Sequence, residues 1–496
     1  MGKIVKQSLL STFSSYIGVV IGYVNMLWLL PYAFSPEEIG IFKTIQDMGL
    51  LLVPFAQLGL GHGITRFYPQ IKENQFSFFS FTLFLSLIGF GVVMLVFLVF
   101  KGQIIEAYAS NSPEIINFLG VVLFIALFAV LNSILDAFTR SFIKIAVPTF
   151  FREVVLRLLV TLLVGSYLLQ WLNFDQLMWG LAGIYLITLL GMILYMVKIK
   201  IFVLDFNWVI FPLSLKKDYI KYSLITLLGT AGSILIMKID SLMVSSMIGL
   251  EANAIYVIGF SIAVVIEMPR RAISQVVMPI IAEKFAMDLP DEINLLYKKV
   301  AVNQLLMCLL IFLAIWINID NLYHFVPNKS IYETGKWVVL LIGLGKLSDV
   351  LFSVNGEIIV FSRFYIFNIT STLLMSVLVI ILNLLMIPIW GIEGAALSSL
   401  LSMFFYNLIK YLYVKKRLGF DPFTWDIAKI IFVGALVYGL NYYFIPTFSP
   451  VLLDIAIRLI FLFISYAGFT WLLKIAPDSQ KMVWDKWEDW RQNSKK

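Results

Sequence analysis

The chain has 496 residues, of which 60% are hydrophobic and only 14% are charged, and its formal net charge is +7. A soluble globular protein is about one quarter charged, so this chain lacks the polar groups needed to cover a folded apolar surface. We therefore expect an integral membrane protein. A single cysteine excludes an intramolecular disulfide framework, and with only two histidines it argues against a structural zinc site.

Apolar stretches of about 20 residues, the length that crosses the hydrocarbon of a bilayer, recur along the whole chain. The first is too long for the apolar region of a cleavable signal peptide, so we expect it to span the membrane. In chain order the stretches predict fourteen spanning helices, at 8–31, 37–66, 76–100, 113–140, 148–171, 175–197, 217–247, 251–282, 293–318, 333–362, 364–388, 391–414, 426–446 and 450–474. The connections are short, so no soluble domain is expected.

Lysine and arginine are concentrated on one side of this predicted topology. If the N-terminus is cytoplasmic, the opposite side receives only Lys101, Lys329 and Lys336. Cytoplasmic loops of membrane proteins carry an excess of basic residues, and an even number of spans then places both termini in the cytoplasm. After the last span, tryptophans at a spacing of three predict an amphipathic helix on the cytoplasmic leaflet over residues 477–496, with a partner-binding helix as the alternative.

A weak internal repeat appears when the chain is shifted by about 214 residues. The sequence EEIGIF at 37–42 then falls on EANAIY at 251–256, and Pro54 falls within one residue of Pro269. The repeat predicts an all-α membrane protein with two pseudo-symmetric six-helix halves, 1–212 and 213–415, followed by two further spans within 416–476. Both halves have the same orientation, which is typical of a V-shaped transporter with a cavity between its halves. Each proline is expected either to bend its helix or to be a tolerated kink.

Three segments carry a family resemblance. They are SPEEIGIF with the later LGLGHGITRFYP, the stretch KIDSLMVSSMIGLEANAIYVIGFSIAVVIEMP at 238–269, and LNLLMIPIWGIEGAALSSLLS at 382–402. These segments resemble bacterial polysaccharide flippases, the Wzx-type exporters of the multidrug/oligosaccharidyl-lipid/polysaccharide (MOP) superfamily. Fourteen spans resemble the polysaccharide and lipid II flippases more closely than the drug exporters, which usually have twelve.

The resemblance implies a flippase of the bacterial inner membrane, with polysaccharide biosynthesis as its role. Its substrate would be an undecaprenyl-pyrophosphate-linked oligosaccharide, moved from the cytoplasmic to the outer leaflet by alternating access. It implies no enzymatic activity and no cofactor, with Na⁺ or H⁺ left open as a coupling ion. Membrane lipids, a polysaccharide polymerase and glycosyltransferases would be its partners, and nucleic acid would not. In agreement, the sequence contains no phosphate-binding GxxxxGK[ST] loop.

A diphosphate-linked substrate requires cationic side chains deep in the spans, and intramembrane charges are functional candidates by default. The candidate cavity residues are Asn25, Lys43, Asp47, Arg66, Arg140, Lys238, Asp240, Arg270, Arg271, Lys346 and Asp349. The spacing of Lys43 and Asp47 places them on one helix face, and Lys346 and Asp349 are spaced similarly. Each has an ordinary alternative. Arg66 is more typical of basic membrane anchoring, and the pairs are also typical of charges that neutralise each other within or between packed helices.

Two other functions remain open within the superfamily, a cation-coupled multidrug or small-molecule antiporter and a lipid II flippase. An antiporter needs carboxylates in a mostly apolar cavity. Here the deep cations, which include Arg157, outnumber the deep aspartates, and this favours an anionic substrate. A membrane enzyme that acts on the same lipids would need longer loops than the chain provides.

Overall fold

The structure is a computed structural model that describes residues 2–476, so the predicted tail helix at 477–496 lies outside the described residues. The described part is helical throughout and contains no β-strand, as the sequence predicts. It divides into two compact units. Residues 1–258, 326–328 and 372–395 form the first, and the second comprises 259–325, 329–371 and the residues from 396 onward. The division into halves at residue 212 stays a prediction.

Twelve α-helices precede residue 265. They are α1 (Gly2–Val24), α2 (Leu30–Ala33), α3 (Pro36–Gln57), α4 (Leu60–Phe67), α5 (Gln75–Val99), α6 (Lys101–Ala109), α7 (Leu119–Ser141), α8 (Ala146–Phe150), α9 (Leu156–Leu168), α10 (Phe174–Lys198), α11 (Leu213–Met247) and α12 (Leu250–Val264). Two π-helical turns join α1 to α2 and α8 to α9, at Asn25–Leu29 and Phe151–Val155. Within the first unit, α3 packs against α5, α7 and α11.

Nine α-helices follow. They are α13 (Met268–Ala286), α14 (Pro290–Ile317), α15 (Ile319–His324), α16 (Lys329–Tyr332), α17 (Lys336–Leu351), α18 (Asn355–Phe361), α19 (Tyr365–Leu418), α20 (Trp425–Phe444) and α21 (Val451–Leu472). Short 3₁₀ turns occur at Tyr68–Gln70, Lys72–Asn74, Pro113–Phe118, Trp208–Ile210, Val265–Glu267 and Glu333–Gly335. Within the second unit, α14 packs against α13, α17, α20 and α21.

The central helix of the first unit, α3, has strong local start and stop signals. The Ser35 hydroxyl accepts the Glu38 amide at 3.2 Å, and the Glu38 carboxylate accepts the Ser35 amide at 2.8 Å, which forms a capping box. The helix ends where Leu58 and Gly59 adopt positive φ angles. A Cβ on Gly59 would lie 2.1 Å from the Ser223 carbonyl oxygen, so glycine permits both the turn and the close approach of α11.

Helix interruptions occur beside both repeat-related prolines. Pro54 lies in the last turn of α3, and α4 continues after the break at Leu58 and Gly59. Pro269 is the second residue of α13, directly after the 3₁₀ turn that ends α12. Because proline lacks an amide donor, it fits the first turn of a helix and weakens the turn that precedes it.

The described residues contain 11 helices that are long and apolar enough to cross a membrane, or 12 if α16–α18, bent by 47°, is one span. The chain is therefore a multi-pass membrane protein, but the predicted number of fourteen is not confirmed. Residues 146–168 are helical but carry Arg152, Glu153 and Arg157. The 54-residue helix α19 would be about 80 Å long if straight, and its backbone breaks at Gly391. Fourteen spans would require the helix at 146–168 to cross and α19 to cross twice.

Candidate functional site

The strongest candidate site lies in the first unit, between α3, α10 and α11. We call its members, Lys43, Gln46, Asp47, Tyr185 and Lys238, the Lys43 cluster. Lys238 Nζ lies 2.6 Å from Asp47 Oδ1. Lys43 Nζ donates to Gln46 Oε1 at 3.0 Å, and Gln46 Nε2 donates to Tyr185 Oη at 3.2 Å. The cluster thus holds two lysines and one carboxylate.

The structure changes the predicted pairing within this cluster. Lys43 and Asp47 share a helix, but Asp47 forms its ion pair with Lys238 of α11 instead. The Asp47 side chain is 5% exposed and that of Lys238 is 24% exposed. Among the described residues, no carboxylate lies within ion-pair distance of Lys43, whose polar partner is the neutral Gln46. Lys43 as a whole residue is partly buried.

A neutral polar contact fixes α3 beside this cluster. Thr44 Oγ1 donates to Ser245 Oγ at 3.0 Å and accepts from Asn253 Nδ2 at 2.9 Å. All three side chains are buried. Side-chain hydrogen bonds of this kind hold membrane helices together, so they orient the face that carries Lys43 and Asp47.

Two other predicted residues of the first unit form hydrogen bonds that hold neighbouring helical segments together. Asp240 accepts from Tyr256 Oη at 2.9 Å and from Asn383 Nδ2 at 2.7 Å. Asn25 donates to the Arg157 carbonyl at 3.0 Å and accepts from Thr161 Oγ1 at 2.9 Å. Both are buried. Their predicted role as cavity residues stays a prediction.

A chain of ion pairs joins α7 to the helix at 146–168. Arg140 and Arg152 contact Asp136 at 3.4 and 2.9 Å, and Arg157 contacts Glu153 at 2.7 Å. The pair between Arg140 and Asp136 is the local one that their spacing predicts. Arg157 lies close against α1, because a Cβ on Gly22 would be 2.9 Å from its Nε atom.

Arg66 is separate from these ion pairs. Its guanidinium carbon lies 4.3 Å from the centre of the Tyr222 ring, which is a cation–π contact, and the side chain is exposed. This geometry is compatible with membrane anchoring as well as with attraction of an anion.

The second unit contains a different set of charges, mostly buried or partly buried, which we call the Arg270 cluster: Glu267, Arg270, Arg271, Lys346, Asp349 and Glu357. Arg270 Nη1 lies 3.1 Å from Asp349 Oδ2, and its Nη2 lies 4.0 Å from Glu357 Oε1. Lys346 Nζ lies 2.8 Å from Glu267 Oε2, and Arg271 also contacts Glu267. Lys346 and Asp349 do not pair with each other, because each pairs with a charge near the α12–α13 junction, and this is the neutralisation between helices that the sequence left open.

Four members of these clusters, Gln46, Tyr185, Glu267 and Glu357, are not among the predicted cavity residues. Glu357 is an acidic residue in the apolar sequence of α18, and this signal was available. Tyr185 has no such signal, because a tyrosine in an apolar helix is ordinary and only the fold brings it to Gln46. The described residues contain no group of three or more histidine, cysteine, aspartate or glutamate side chains that could hold a metal ion.

The chain is similar in sequence and in fold to several known proteins. The model of a family described as "Polysaccharide biosynthesis protein" matches residues 4–285. A membrane protein of Methanocaldococcus jannaschii is 22% identical over 428 residues, covering 80% of this chain and 81% of that protein. The lipid II flippase MurJ, in an inward closed conformation, is 14% identical with a TM-score of 0.73, covering 95% of this chain and 99% of that one.

A second solved structure extends the comparison. It is an outward-facing multidrug resistance MATE family transporter of the MOP superfamily, 14% identical, with a TM-score of 0.56 over 84% of this chain and 95% of that one. At such identities the structural matches establish the fold alone. They confirm the MOP-type fold that the sequence segments predict.

Proposed function

The chain belongs to the polysaccharide biosynthesis protein family of the MOP superfamily, and from that premise we propose that it flips an undecaprenyl-pyrophosphate-linked oligosaccharide across the bacterial inner membrane. The family and the structural relatives are transporters and flippases rather than enzymes. In this proposal both termini are cytoplasmic, and the substrate moves from the inner to the outer leaflet by alternating access. A glycosyltransferase would supply the lipid-linked sugar, and a polymerase would consume it.

The observation that carries the proposal is the state of Lys43. A lysine in a spanning helix is costly unless a counter-charge or water stabilises it. Asp47 is already paired with Lys238, and Lys43 is bonded to the neutral Gln46. A substrate diphosphate would supply the missing negative charge and would form charge-assisted hydrogen bonds with the ammonium group. Lys238, which is partly exposed, would give the second contact.

Lipid II flipping is the second candidate, because the similarity to a lipid II flippase structure covers nearly the whole of both chains. Lipid II also presents a diphosphate between a polyprenyl chain and a sugar, so the Lys43 cluster would meet the same group. The two candidates differ in the sugar, and a transport assay with both substrates separates them.

The experiment uses the full chain in liposomes with fluorescent undecaprenyl-pyrophosphate-linked disaccharide, fluorescent lipid II, and the corresponding undecaprenyl-monophosphate-linked sugar as a control. Flipping is measured as the fraction of label that a membrane-impermeant reductant quenches. We expect the diphosphate substrate to be flipped and the monophosphate to be flipped poorly. Equal rates for the two would contradict recognition of the diphosphate.

Charge-reversal variants test whether the lysines of the Lys43 cluster are needed for flipping. We expect Lys43→Glu and Lys238→Glu each to abolish flipping while the protein still folds, because an added carboxylate repels the diphosphate. Lys101→Glu reverses an exposed lysine in the same unit and should flip at the normal rate. Normal flipping by both cluster variants would overturn the assignment of the Lys43 cluster as the substrate site.

A further inference from the structure

The linker at residues 199–212, between α10 and α11, has an outward face made largely of apolar side chains. Its sequence is IKIFVLDFNWVIFP. Val209 is 90% exposed and Phe206 is 66% exposed, and Val203, Leu204 and Ile210 are exposed as well. By contrast, Ile201 and Phe211 are buried against the first unit. The segment therefore has an inner face that packs and an outer face that does not.

Contacts with α5 fix this outward orientation. The Asp205 amide donates to Ser80 Oγ at 2.9 Å, and the Asp205 carboxylate accepts from the Ser77 hydroxyl. The Ser77 hydroxyl and the Asn207 amide lower the pKa of Asp205, so this acidic group stays ionised and directed toward α5.

Aromatic contacts continue the attachment along α5. The rings of Trp208 and Phe84 lie 4.9 Å apart between centroids, and those of Phe211 and Phe78 lie 6.1 Å apart. A segment held in this way presents Phe206 and Val209 as a fixed surface rather than as a collapsed loop.

Basic residues border the apolar face on both sides. Lys198 and Lys200 precede it, and Lys216, Lys217 and Lys221 follow it. All five are at least partly exposed. The nearby acidic residues are Asp205, which is bonded inward, and Asp218. Lysines around an apolar face match an anionic lipid surface, to which each basic residue adds about 1 kcal/mol of attraction.

We propose that the linker is an interfacial lipid-binding segment, which inserts Phe206 and Val209 among the acyl chains of a leaflet rich in anionic phospholipid. The linker joins two helices that are long and apolar enough to cross a membrane, which places it at a membrane surface. Trp208 has the side chain that prefers the membrane–water interface. The surrounding lysines then bind the phosphate groups of the lipid headgroups.

Another loop of the chain provides a matched comparison. Met287, between α13 and α14, is an apolar residue that is 59% exposed. Its charged neighbours are mostly acidic, with Glu283, Asp288, Asp291 and Glu292 against the single Lys284. An anionic leaflet would repel this loop, so we expect Met287 to remain in water.

The test uses the full-length protein in vesicles, with a nitroxide label at a single cysteine. The only native cysteine, Cys308, is buried, so Cys308→Ala gives the background. Labels at Val209→Cys and Met287→Cys are compared for their collisions with oxygen, which concentrates in lipid, and with a nickel chelate, which stays in water. Vesicles contain phosphatidylcholine alone or with phosphatidylglycerol.

In vesicles with phosphatidylglycerol we expect the oxygen-to-nickel ratio to be severalfold higher at position 209 than at position 287. Replacing Lys198, Lys200, Lys216 and Lys217 by glutamine should abolish the difference between the two vesicle types. A ratio at position 209 equal to that at position 287 would overturn membrane insertion. Insertion that is the same with and without phosphatidylglycerol would overturn the assignment of anionic lipid. Retained flipping by each labelled variant verifies that it is folded.

Discussion

The Lys43 cluster and the Arg270 cluster handle intramembrane charge in opposite ways. In the Arg270 cluster three cations face three carboxylates, and every carboxylate has a cation within 4.0 Å. In the Lys43 cluster two lysines share one carboxylate, and Lys43 is left with a neutral partner. The charges of the Arg270 cluster already neutralise one another, whereas the excess positive charge of the Lys43 cluster would be stabilised by an anionic ligand. From this difference we propose that the Arg270 cluster has a structural role and that the Lys43 cluster contacts the substrate.

The contrast also predicts how each cluster responds to substitution. Removing one member of a buried, balanced network leaves its partner buried without a counter-charge. The resulting loss of folding free energy is larger than the net contribution of the ion pair itself. Removing Lys43 strands no charge. Substitutions in the Lys43 cluster should therefore mainly lower the transport rate, and substitutions in the Arg270 cluster should mainly lower the free energy of unfolding.

The largest effect on stability is expected for Glu267→Ala. Lys346, whose side chain is only 13% exposed, is left without a carboxylate, and we expect the free energy of unfolding to fall by about 3–5 kcal/mol. Arg271 contributes less, because its side chain is 54% exposed and can turn to water. Equilibrium unfolding in mixtures of denaturing and mild detergent measures the change.

The double variant Glu267→Ala/Lys346→Met is the control for this explanation. It removes the stranded ammonium group and fills its space, so most of the lost stability should return. If the double variant is as unstable as Glu267→Ala alone, the loss comes from packing and the account of a balanced network is wrong.

A smaller loss of stability is expected for Asp47→Asn. Lys238 loses its counter-charge but is partly exposed, so we expect a loss of about 1–3 kcal/mol. The charge swap Asp47→Lys/Lys238→Asp restores the pair and should restore the unfolding free energy. It moves the cation from α11 to α3, however, so flipping should stay low. A swapped protein that flips at the normal rate would show that the position of Lys238 is unimportant.

The sequence predicts helices and some local ion pairs because both depend on short spacings. The pairs Arg140–Asp136 and Arg458–Asp454 are present at 3.4 and 2.7 Å, as their i,i+4 spacing indicates. The same rule fails for Asp47, whose partner Lys238 is 191 residues away. Spacing describes which residues share a helix face, but it does not describe which other helix lies opposite that face.

The prediction of the number of membrane spans from the sequence is limited for a related reason. Hydropathy identifies apolar segments, but α19 is a single helical run in which the only marked break is the backbone at Gly391. Residues 146–168 have the length of a span but carry three charges, and one of these, Arg152, pairs with Asp136 of another helix, which the sequence does not reveal. Prediction of such segments requires knowledge of their tertiary partners.

The variant Lys43→Gln should distinguish the roles of the two clusters most clearly. We expect the unfolding free energy to change by less than about 0.5 kcal/mol, since no buried partner loses its charge. The KM for the diphosphate substrate should rise by roughly tenfold or more, because a charge-assisted hydrogen bond contributes about 1.5–3 kcal/mol. Lys43→Arg keeps the charge and should retain most of the flipping activity. An unchanged KM in Lys43→Gln would remove the distinction between the clusters.

The smallest effect is expected at an ion pair between the last turn of α19 and the loop that follows it, where Lys415 Nζ lies 2.8 Å from Asp421 Oδ2. Partial burial opposes ionisation of Asp421, but hydrogen bonds from Lys415 and the Phe423 amide hold its pKa below the ordinary value. Because the folded-state pKa is the lower one, the pair stabilises the protein above about pH 4 and loses its effect as the pH falls through the folded-state pKa. Asp421→Asn should lower Tm by less than about 2 °C at neutral pH, since exposed pairs contribute little. The difference between the two proteins should vanish in acid, whereas the loss from Glu267→Ala at neutral pH remains large. A shift at Asp421 as large as that at Glu267 would mean that burial does not separate the Arg270 cluster from surface pairs.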